Sequence, residues 1–257
     1  MSRQIQKFAL IAAISMLSNT VVFAEAPAQL PIDGNLSAIE MWYVHAARPS
    51  HPEIIILADG RMQVMSPEGP QRSQLGVEQV ETLLNELLQV DGLAKVNSST
   101  ILDRVQKATE QTGLSSCIEG AGDTVFRIRT ATESYEIRCP AVGILAVRFP
   151  EVAGVKAMAA AQRRLENVRA VASVGGGEEA DFIADLAAKA VQNEYGVEVP
   201  VSKDDLSMVR ALPDGSRFCQ FVVAQNDQKN ESLQMISITE MPGHRPVVQM
   251  IGEPLVR

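Results

Sequence analysis

Hydrophobic and polar positions in the first half of the chain predict strands at both ends and helices between them. The segment IEMWYVHA is followed by EIIILADGRMQVM, where the turn dipeptide Asp59-Gly60 between two apolar runs predicts a β-hairpin. Apolar residues three and four apart predict a helix over residues 77–88, and a weaker helix covers residues 101–112. TVFRIRT and ESYEIRC then predict a second hairpin. The order ββ-α-α-ββ is typical of helices that cover one face of an antiparallel sheet.

The second half begins with helical patterns and ends with alternating ones. An alanine-rich stretch predicts a long helix over residues 151–173, which three consecutive glycines from Gly175 end. A further helix is predicted over residues 178–195, with Gly196 placed to cap its C-terminus. The remainder predicts five strands: VEVPV, residues 208–212, RFCQFVVA, LQMISITEM and RPVVQMI.

These elements predict an α+β fold in which helices cover antiparallel sheets, arranged as two small domains joined by a long helix. The predicted boundaries are residues 25–150 for an N-terminal α+β domain and 151–177 for the connecting helix and glycine linker. Residues 178–257 then form a C-terminal helix followed by an antiparallel β-meander.

Residues 1–24 have the pattern of a signal peptide. Arg3 and Lys7 precede an apolar run, and Val22-Phe23-Ala24 has small residues at the two positions that a signal peptidase reads, which predicts cleavage after Ala24. The run is too short and too polar to span a bilayer, and no later stretch approaches 18 apolar residues, so we expect no integral membrane span. The sequence therefore predicts an exported protein, periplasmic or extracellular.

Charge and composition limit the classes of binding partner that we expect for the exported chain. Cleavage removes two basic and no acidic residues, so the formal net charge falls from −8 to −10. An acidic chain without a Lys/Arg cluster is repelled by phosphate backbones, which argues against nucleic acid. Aromatic residues make up 4% of the chain, which disfavours carbohydrate platforms. The expected partner is a protein or a small ligand.

The three cysteines are an odd number for an exported protein. Cys117 and Cys139 flank the second predicted hairpin, and a disulfide between them is favoured over two reduced thiols because export exposes the chain to oxidants. Such a bridge would stabilise the fold by roughly 3 kcal/mol. Cys219 lies in an alternating run and is predicted to be buried.

No stretch of residues 25–257 contains a recognised catalytic or cofactor motif. His45 and His51, with Glu53 and Asp59 nearby, could bind zinc, but their spacing matches no ligand pair and solvated loop histidines are favoured. We therefore expect no metal and no cofactor, and the sequence identifies no catalytic residue. His244, in a turn, is expected to be exposed.

Two further groups of side chains have alternative interpretations. Basic residues on the long helix could mark a membrane or partner surface, but its alanine-rich apolar side favours a packed connecting helix; they are Lys156, Arg163, Arg164 and Arg169. Trp42 and Tyr43 could line a ligand cleft or belong to the core of a half-buried strand.

The second half, a helix followed by an antiparallel meander, resembles the cystatin-like arrangement over about 80 residues. Gln220-Phe221-Val222-Val223-Ala224 is similar to the Q-x-V-x-G wedge of cystatins, with Ala224 in place of the glycine, although its pattern predicts a position within a strand. The resemblance implies a fold and, as one alternative, inhibition of cysteine proteases. The first half, with its ILADGR hairpin and leucine-rich helix, resembles secreted bacterial proteins that carry no assigned activity.

The leading functional hypothesis is an exported, non-enzymatic binding or interaction module. The absence of a recognised catalytic motif from residues 25–257 argues against the common hydrolase classes. A hydrolase with an unrecognised site and a cystatin-like protease inhibitor are the alternatives.

Overall fold

The computed structural model describes residues 27–45, 51–66, 69–227 and 230–251, which form an α+β fold built on two antiparallel sheets. The predicted fold class is thus confirmed. The predicted signal peptide, residues 1–24 with cleavage at Ala24, lies outside the described residues. No helix within the described ranges is long and apolar enough to cross a membrane.

Six strands of the N-terminal half form the first sheet. They are β1 (Ser37–Val44), β2 (Pro52–Leu57), β3 (Arg61–Ser66), β4 (Gly69–Gln74), β5 (Asp123–Arg129) and β6 (Ser134–Pro140). Their order across the sheet is β4-β3-β2-β1-β5-β6, so β1 lies between the two predicted hairpins. Both hairpins are confirmed, because β2 pairs with β3 and β5 pairs with β6, antiparallel in each case.

Strand β4 is absent from the sequence prediction. Its residues, GPQRSQ, contain no apolar alternation, and they pair along β3 at the edge of the sheet. An edge strand with two polar faces leaves no hydrophobic period to detect.

The helices of this half lie over the inner face of the sheet. They are α1 (Val77–Asn85), α2 (Ser98–Thr112) and α3 (Val142–Arg148), and a π-helical turn, Glu86–Val90, continues α1. The two helices predicted between the hairpins are confirmed. Leu87 and Leu88 belong to the π-helical turn and not to α1, but both are buried as their spacing predicted.

The predicted long helix is α4 (Ala153–Val174), and it begins after a separate short helix, α3. The sequence VGILAVR is too short to show a full helical period, so the hydrophobic pattern does not predict α3. Gly175 ends α4 in a left-handed conformation (φ 114°), as the glycine run predicted.

The second sheet packs against helix α5 (Gly177–Tyr195). Its strands are β7 (Leu206–Ala211), β8 (Arg217–Asp227), β9 (Asn230–Glu240) and β10 (Val247–Ile251), in the order β10-β9-β8-β7. The predicted helix and four of the predicted strands are confirmed. The strand prediction for VEVPV is wrong: residues 197–201 are irregular, and Pro200 cannot donate a backbone hydrogen bond to a ladder.

Helix α4 contributes to both hydrophobic cores. Val155, Met158 and Leu165 are buried in the core between the first sheet and its helices. Ala170 and Val174, at the C-terminal end of the same helix, belong to the core between α5 and the second sheet. The two cores are therefore connected through one continuous helix, and their assignment to two domains stays a prediction.

Candidate functional site

Three polar side chains of α4 each contact a different strand of the first sheet. The Thr124 hydroxyl on β5 donates to Gln162 Oε1 at 3.3 Å. The Tyr43 hydroxyl on β1 donates to Glu166 Oε1 at 2.5 Å, and the Arg169 guanidinium donates to Glu53 Oε2 on β2 at 3.2 Å. Strands β5, β1 and β2 are neighbours in the sheet, so residues four and then three apart on the helix meet them in order. We call these six residues the polar ladder.

Tyr43 is the centre of the polar ladder. Gln162 Nε2 donates to the Tyr43 hydroxyl oxygen at 3.0 Å and to Glu166 Oε1 at 2.9 Å, which closes a triangle of three side chains. Burial, together with the negative charge of Glu166, raises the pKa of Tyr43 far above its ordinary value of 10.0. The hydroxyl therefore stays protonated and acts as a donor to Glu166, a structural role and not that of a base or nucleophile.

Arg169 forms the last step of the polar ladder and is partly open to solvent. Its partner Glu53 also lies 3.9 Å from His51 Nδ1 through its second oxygen. The Arg169 side chain is 25% exposed and that of Glu53 is 18% exposed. The pair is thus partly accessible to solvent, as are the side chains of the triangle around Tyr43.

On another side of α4, Arg164 binds the π-helical turn. Its guanidinium donates to both oxygens of Asp91, at 2.8 and 3.0 Å, and to Glu86 at 2.9 Å. The Asp91 side chain is only 6% exposed, and its hydrogen bond is the main reason why the pKa of Arg164 is raised. A π-helical turn contains one residue more than an α-helical turn, which shifts the end of α1. Glu86 at the start of this turn and Asp91 directly after it both accept hydrogen bonds from Arg164.

Asn167 connects α4 to the start of the second sheet. Its amide donates to the carbonyls of Lys203, at 2.7 Å, and Leu206, at 3.0 Å. Leu206 begins β7, which pairs only with β8 among the described strands. The middle of α4 therefore fixes the first sheet on one side and the edge of the second sheet on the other.

A cleft of about 1010 Å³ opens between α1, the middle of α4 and the outer face of β7 and β8. Its wall carries six acidic and three basic side chains: Glu78, Glu86, Asp91, Glu166, Asp204 and Asp205, with Arg163, Arg164 and Arg169. Apolar side chains from both halves complete it, among them Leu75, Leu83, Met208 and Val222. We call this cavity the cleft.

A smaller cavity of about 490 Å³ lies between β7, the ends of β2 and β3, and the last turns of α4. The described residues of its lining include Arg169, Arg210 and His51, together with one carboxylate, Glu53. We call it the pocket. Arg169, Ser207 and Met208 line both the pocket and the cleft, so the two cavities adjoin at Arg169.

The structure separates the residues that the sequence suggested for zinc. His51 and Glu53 come together in the pocket, but His45 lies beside Gly122 at the end of β1. Asp59 accepts hydrogen bonds from Arg61 in the β2–β3 turn. Among the described residues, no group of three His, Cys, Asp or Glu side chains could hold a metal ion. His244 is exposed, as its turn position predicted.

The cysteines are free thiols in the structure. Cys117 is exposed in the loop between α2 and β5, whereas Cys139 is buried within β6, opposite Thr124. The predicted Cys117–Cys139 disulfide is not formed in this structure and stays a prediction. Cys219 is buried in the second core, where its alternating run placed it.

Trp42 and Tyr43 lie on opposite faces of β1. Tyr43 faces α4, while the Arg127 guanidinium stacks over the Trp42 ring at 5.0 Å and the indole N–H donates to Glu40 at 2.8 Å. Neither ring lines the cleft or the pocket.

Gln162 and Glu166, which complete the polar ladder, are not among the residues that the sequence pattern singles out. The pattern of α4 favours a packed connecting helix over a membrane or partner surface, and in the structure Arg164 and Arg169 pair with carboxylates of the first half. The available signal was the spacing of Gln162, Glu166 and Arg169, which places three polar side chains on one helical stripe.

The stretch similar to the cystatin wedge lies within β8, where all five residues pair with β9 and Gln220 and Phe221 also pair with β7. This position within a strand agrees with its sequence pattern. Gln220, Val222 and Ala224 line the cleft. Comparisons with protein-family models, curated proteins and solved structures find no match to this chain. The cystatin-like resemblance therefore stays a prediction, and function is argued from the cavities themselves.

Proposed function

We propose that this protein is an exported binding protein that holds a segment of another polypeptide in the cleft. The observation that carries the proposal is the cleft itself: about 1010 Å³, walled by both halves of the chain and lined by acidic and aliphatic side chains together. That volume is at the upper end of the range for ligand pockets and suits several residues of a peptide.

The charges of the cleft favour a basic segment. Arg164 is matched by Asp91 and Glu86, so it offers no charge to a ligand. Arg169 is bound by Glu53. Glu78 and Asp204 remain exposed on opposite walls of the cleft, and complementary lysine or arginine side chains would be attracted to them.

The apolar part of the cleft favours a segment with aliphatic side chains between its basic ones. Leu75 and Val222 are half-buried and face the cavity from opposite halves of the molecule. Covering such side chains removes apolar surface from water, which contributes about 25 cal/mol per Å². A mixed basic and aliphatic segment satisfies both kinds of wall.

A selection from a random octapeptide library on the chain from Glu25 onward tests the proposal. We expect the selected peptides to be enriched in Lys or Arg together with Leu, Ile or Val, with affinities that weaken as salt screens the charges. The double variant Glu78→Gln/Asp204→Asn should weaken binding of a selected peptide by roughly tenfold, measured by fluorescence polarisation.

The matched control is Asp103→Asn, which removes an exposed carboxylate of α2 outside the cleft and should leave the affinity unchanged. The proposal fails if no peptide binds at micromolar concentration. It also fails if the selected peptides lack basic residues, or if the cleft double variant binds as well as the control.

A further inference from the structure

We infer that Arg169 is a carboxylate-binding group of the pocket, held by Glu53 until the C-terminal carboxylate of a bound peptide displaces that pair. This inference rests on the proposed function and deepens it, because it names the end group of the segment that occupies the adjoining cleft.

The first support is the charge of the pocket. In a chain with a formal net charge of −8, Arg169, Arg210 and His51 line one small cavity, and Glu53 is the one carboxylate among the described residues of its lining. The cleft on the other side has twice as many acidic as basic side chains. Among the described residues, basic side chains outnumber carboxylates only in the pocket, so a ligand that enters both cavities is oriented by the difference in net charge between them.

The second support is the geometry of the Arg169–Glu53 pair. A single guanidinium nitrogen, Nη1, donates to Glu53 at 3.2 Å, which is longer than a strong charge-assisted bond. Arg164, in contrast, donates from two nitrogens to the two carboxylate oxygens of Asp91, at 2.8 and 3.0 Å. A guanidinium can bind a carboxylate through two parallel hydrogen bonds, so Arg169 has donors left for a second acceptor.

The third support is the edge of the second sheet. Four consecutive residues of β7, Ser207–Arg210, line the pocket, and β7 pairs only with β8 among the described strands. Backbone groups on its other side therefore have no strand partner in the described part of the chain. An extended peptide that runs along such an edge can pair with these groups while its terminal carboxylate reaches Arg169.

Binding of N-acetyl-leucine and of N-acetyl-leucine amide, at constant ionic strength, tests the inference without any selected peptide. We expect the carboxylate form to shift the Nε–H signal of Arg169 in ¹H–¹⁵N NMR spectra with saturation in the millimolar range, and the amide form to cause no shift. Arg169→Gln, followed through the backbone amide signals of Ser207–Arg210 in the same pocket, should weaken binding at least tenfold. The control Arg163→Gln removes a guanidinium that lines only the cleft and should change nothing.

The direction in which Glu53→Gln changes the affinity for N-acetyl-leucine distinguishes competition by Glu53 from damage to the pocket. Removal of the competing carboxylate frees Arg169, so the affinity for N-acetyl-leucine should rise by about fivefold, whereas a variant with a damaged pocket would bind more weakly. Arg210→Gln should weaken binding by a smaller factor, since this side chain is exposed.

The inference is overturned if the acid and the amide give equal shifts, if Arg163 responds as strongly as Arg169, or if Glu53→Gln binds more weakly than the wild type. Inorganic phosphate is a further probe. If it binds as well as N-acetyl-leucine, with the same dependence on Arg169, the pocket is a site for free oxyanions and not for a peptide terminus, and the inference is overturned. Because Glu78 and Asp204 do not line the pocket, failure of the cleft experiment leaves this result unaffected.

Discussion

At the scale of single residues, the polar ladder shows how α4 is oriented on the first sheet. Apolar contacts along an alanine-rich helix are small and similar, so they fix its rotation weakly. The Tyr43–Glu166–Gln162 triangle is directional, with three hydrogen bonds between 2.5 and 3.0 Å. Each of these side chains is partly buried, so a wrong rotation of α4 would leave polar groups without partners.

Tyr43→Phe should lower the free energy of unfolding by about 1–2 kcal/mol, because Glu166 then loses a donor in a partly buried position. Urea denaturation at neutral pH measures the effect. Tyr195→Phe, which changes a more exposed tyrosine at the end of α5, is the matched control and should stay within about 0.5 kcal/mol of the wild type.

The same variant has a pH signature. The pKa of Tyr43 is raised in the folded state, so above pH 10 the unfolded chain loses this proton while the folded chain keeps it. Wild-type stability therefore falls as the pH rises past 10, and Tyr43→Phe lacks this loss. The gap between the two proteins should narrow above pH 10. A gap that is constant, or that widens, would contradict the assigned role of the hydroxyl.

At the scale of secondary structure elements, two glycines with a left-handed backbone differ in how closely other backbone atoms approach them. Gly60, in the β2–β3 turn, has φ 87°, and a Cβ atom there would lie 2.2 Å from the Leu75 carbonyl oxygen. Gly92, after the π-helical turn, has nearly the same φ, 84°, but open space around it. An alanine at Gly92 meets only the cost of the left-handed backbone conformation, whereas an alanine at Gly60 meets that cost and a steric clash as well.

Gly60→Ala should destabilise the protein by at least about 3 kcal/mol, because a left-handed conformation costs roughly 1–2 kcal/mol and the clash with backbone adds to it. Gly92→Ala should show only the conformational cost. Thermal denaturation of both variants measures the difference. Equal losses of stability would mean that the β2–β3 turn can move away from Leu75, contrary to the close packing in the structure.

Periodicity identified α1, α2, α5 and both hairpins, because each buries one apolar face. It could not identify β4, which has no apolar face, or the π-helical turn, whose leucines keep a helical spacing. The polar ladder was out of reach for another reason: its pairs join residues more than 30 positions apart, and only the sheet order brings them together.

At the scale of the whole molecule, the cysteines connect the fold to the predicted export. Burial raises the pKa of Cys139 to about 12, so little thiolate is present at neutral pH and oxidation in the folded state is slow. The Cys117–Cys139 bridge would therefore have to form before β6 is covered. We expect it in protein recovered from the exported fraction and not in protein that is folded while reduced and then exposed to air.

Peptide mapping by mass spectrometry under non-reducing conditions measures both predictions. The exported protein should begin at Glu25 and should yield a cross-linked peptide that contains Cys117 and Cys139. Free thiols at both positions in the exported protein would rule out the bridge, and an intact N-terminus would rule out cleavage after Ala24.

The sharing of α4 between two cores limits how the chain can be divided into fragments. A fragment that starts at Gly177 would leave behind Ala170 and Val174, which the second core needs, while one that stops before Leu165 would open the first core. A cut that respects both cores must fall between these positions, and that stretch contains Glu166, Asn167 and Arg169. Separately expressed halves would thus each lack part of the wall of the cleft and of the pocket, even if each half kept its own core.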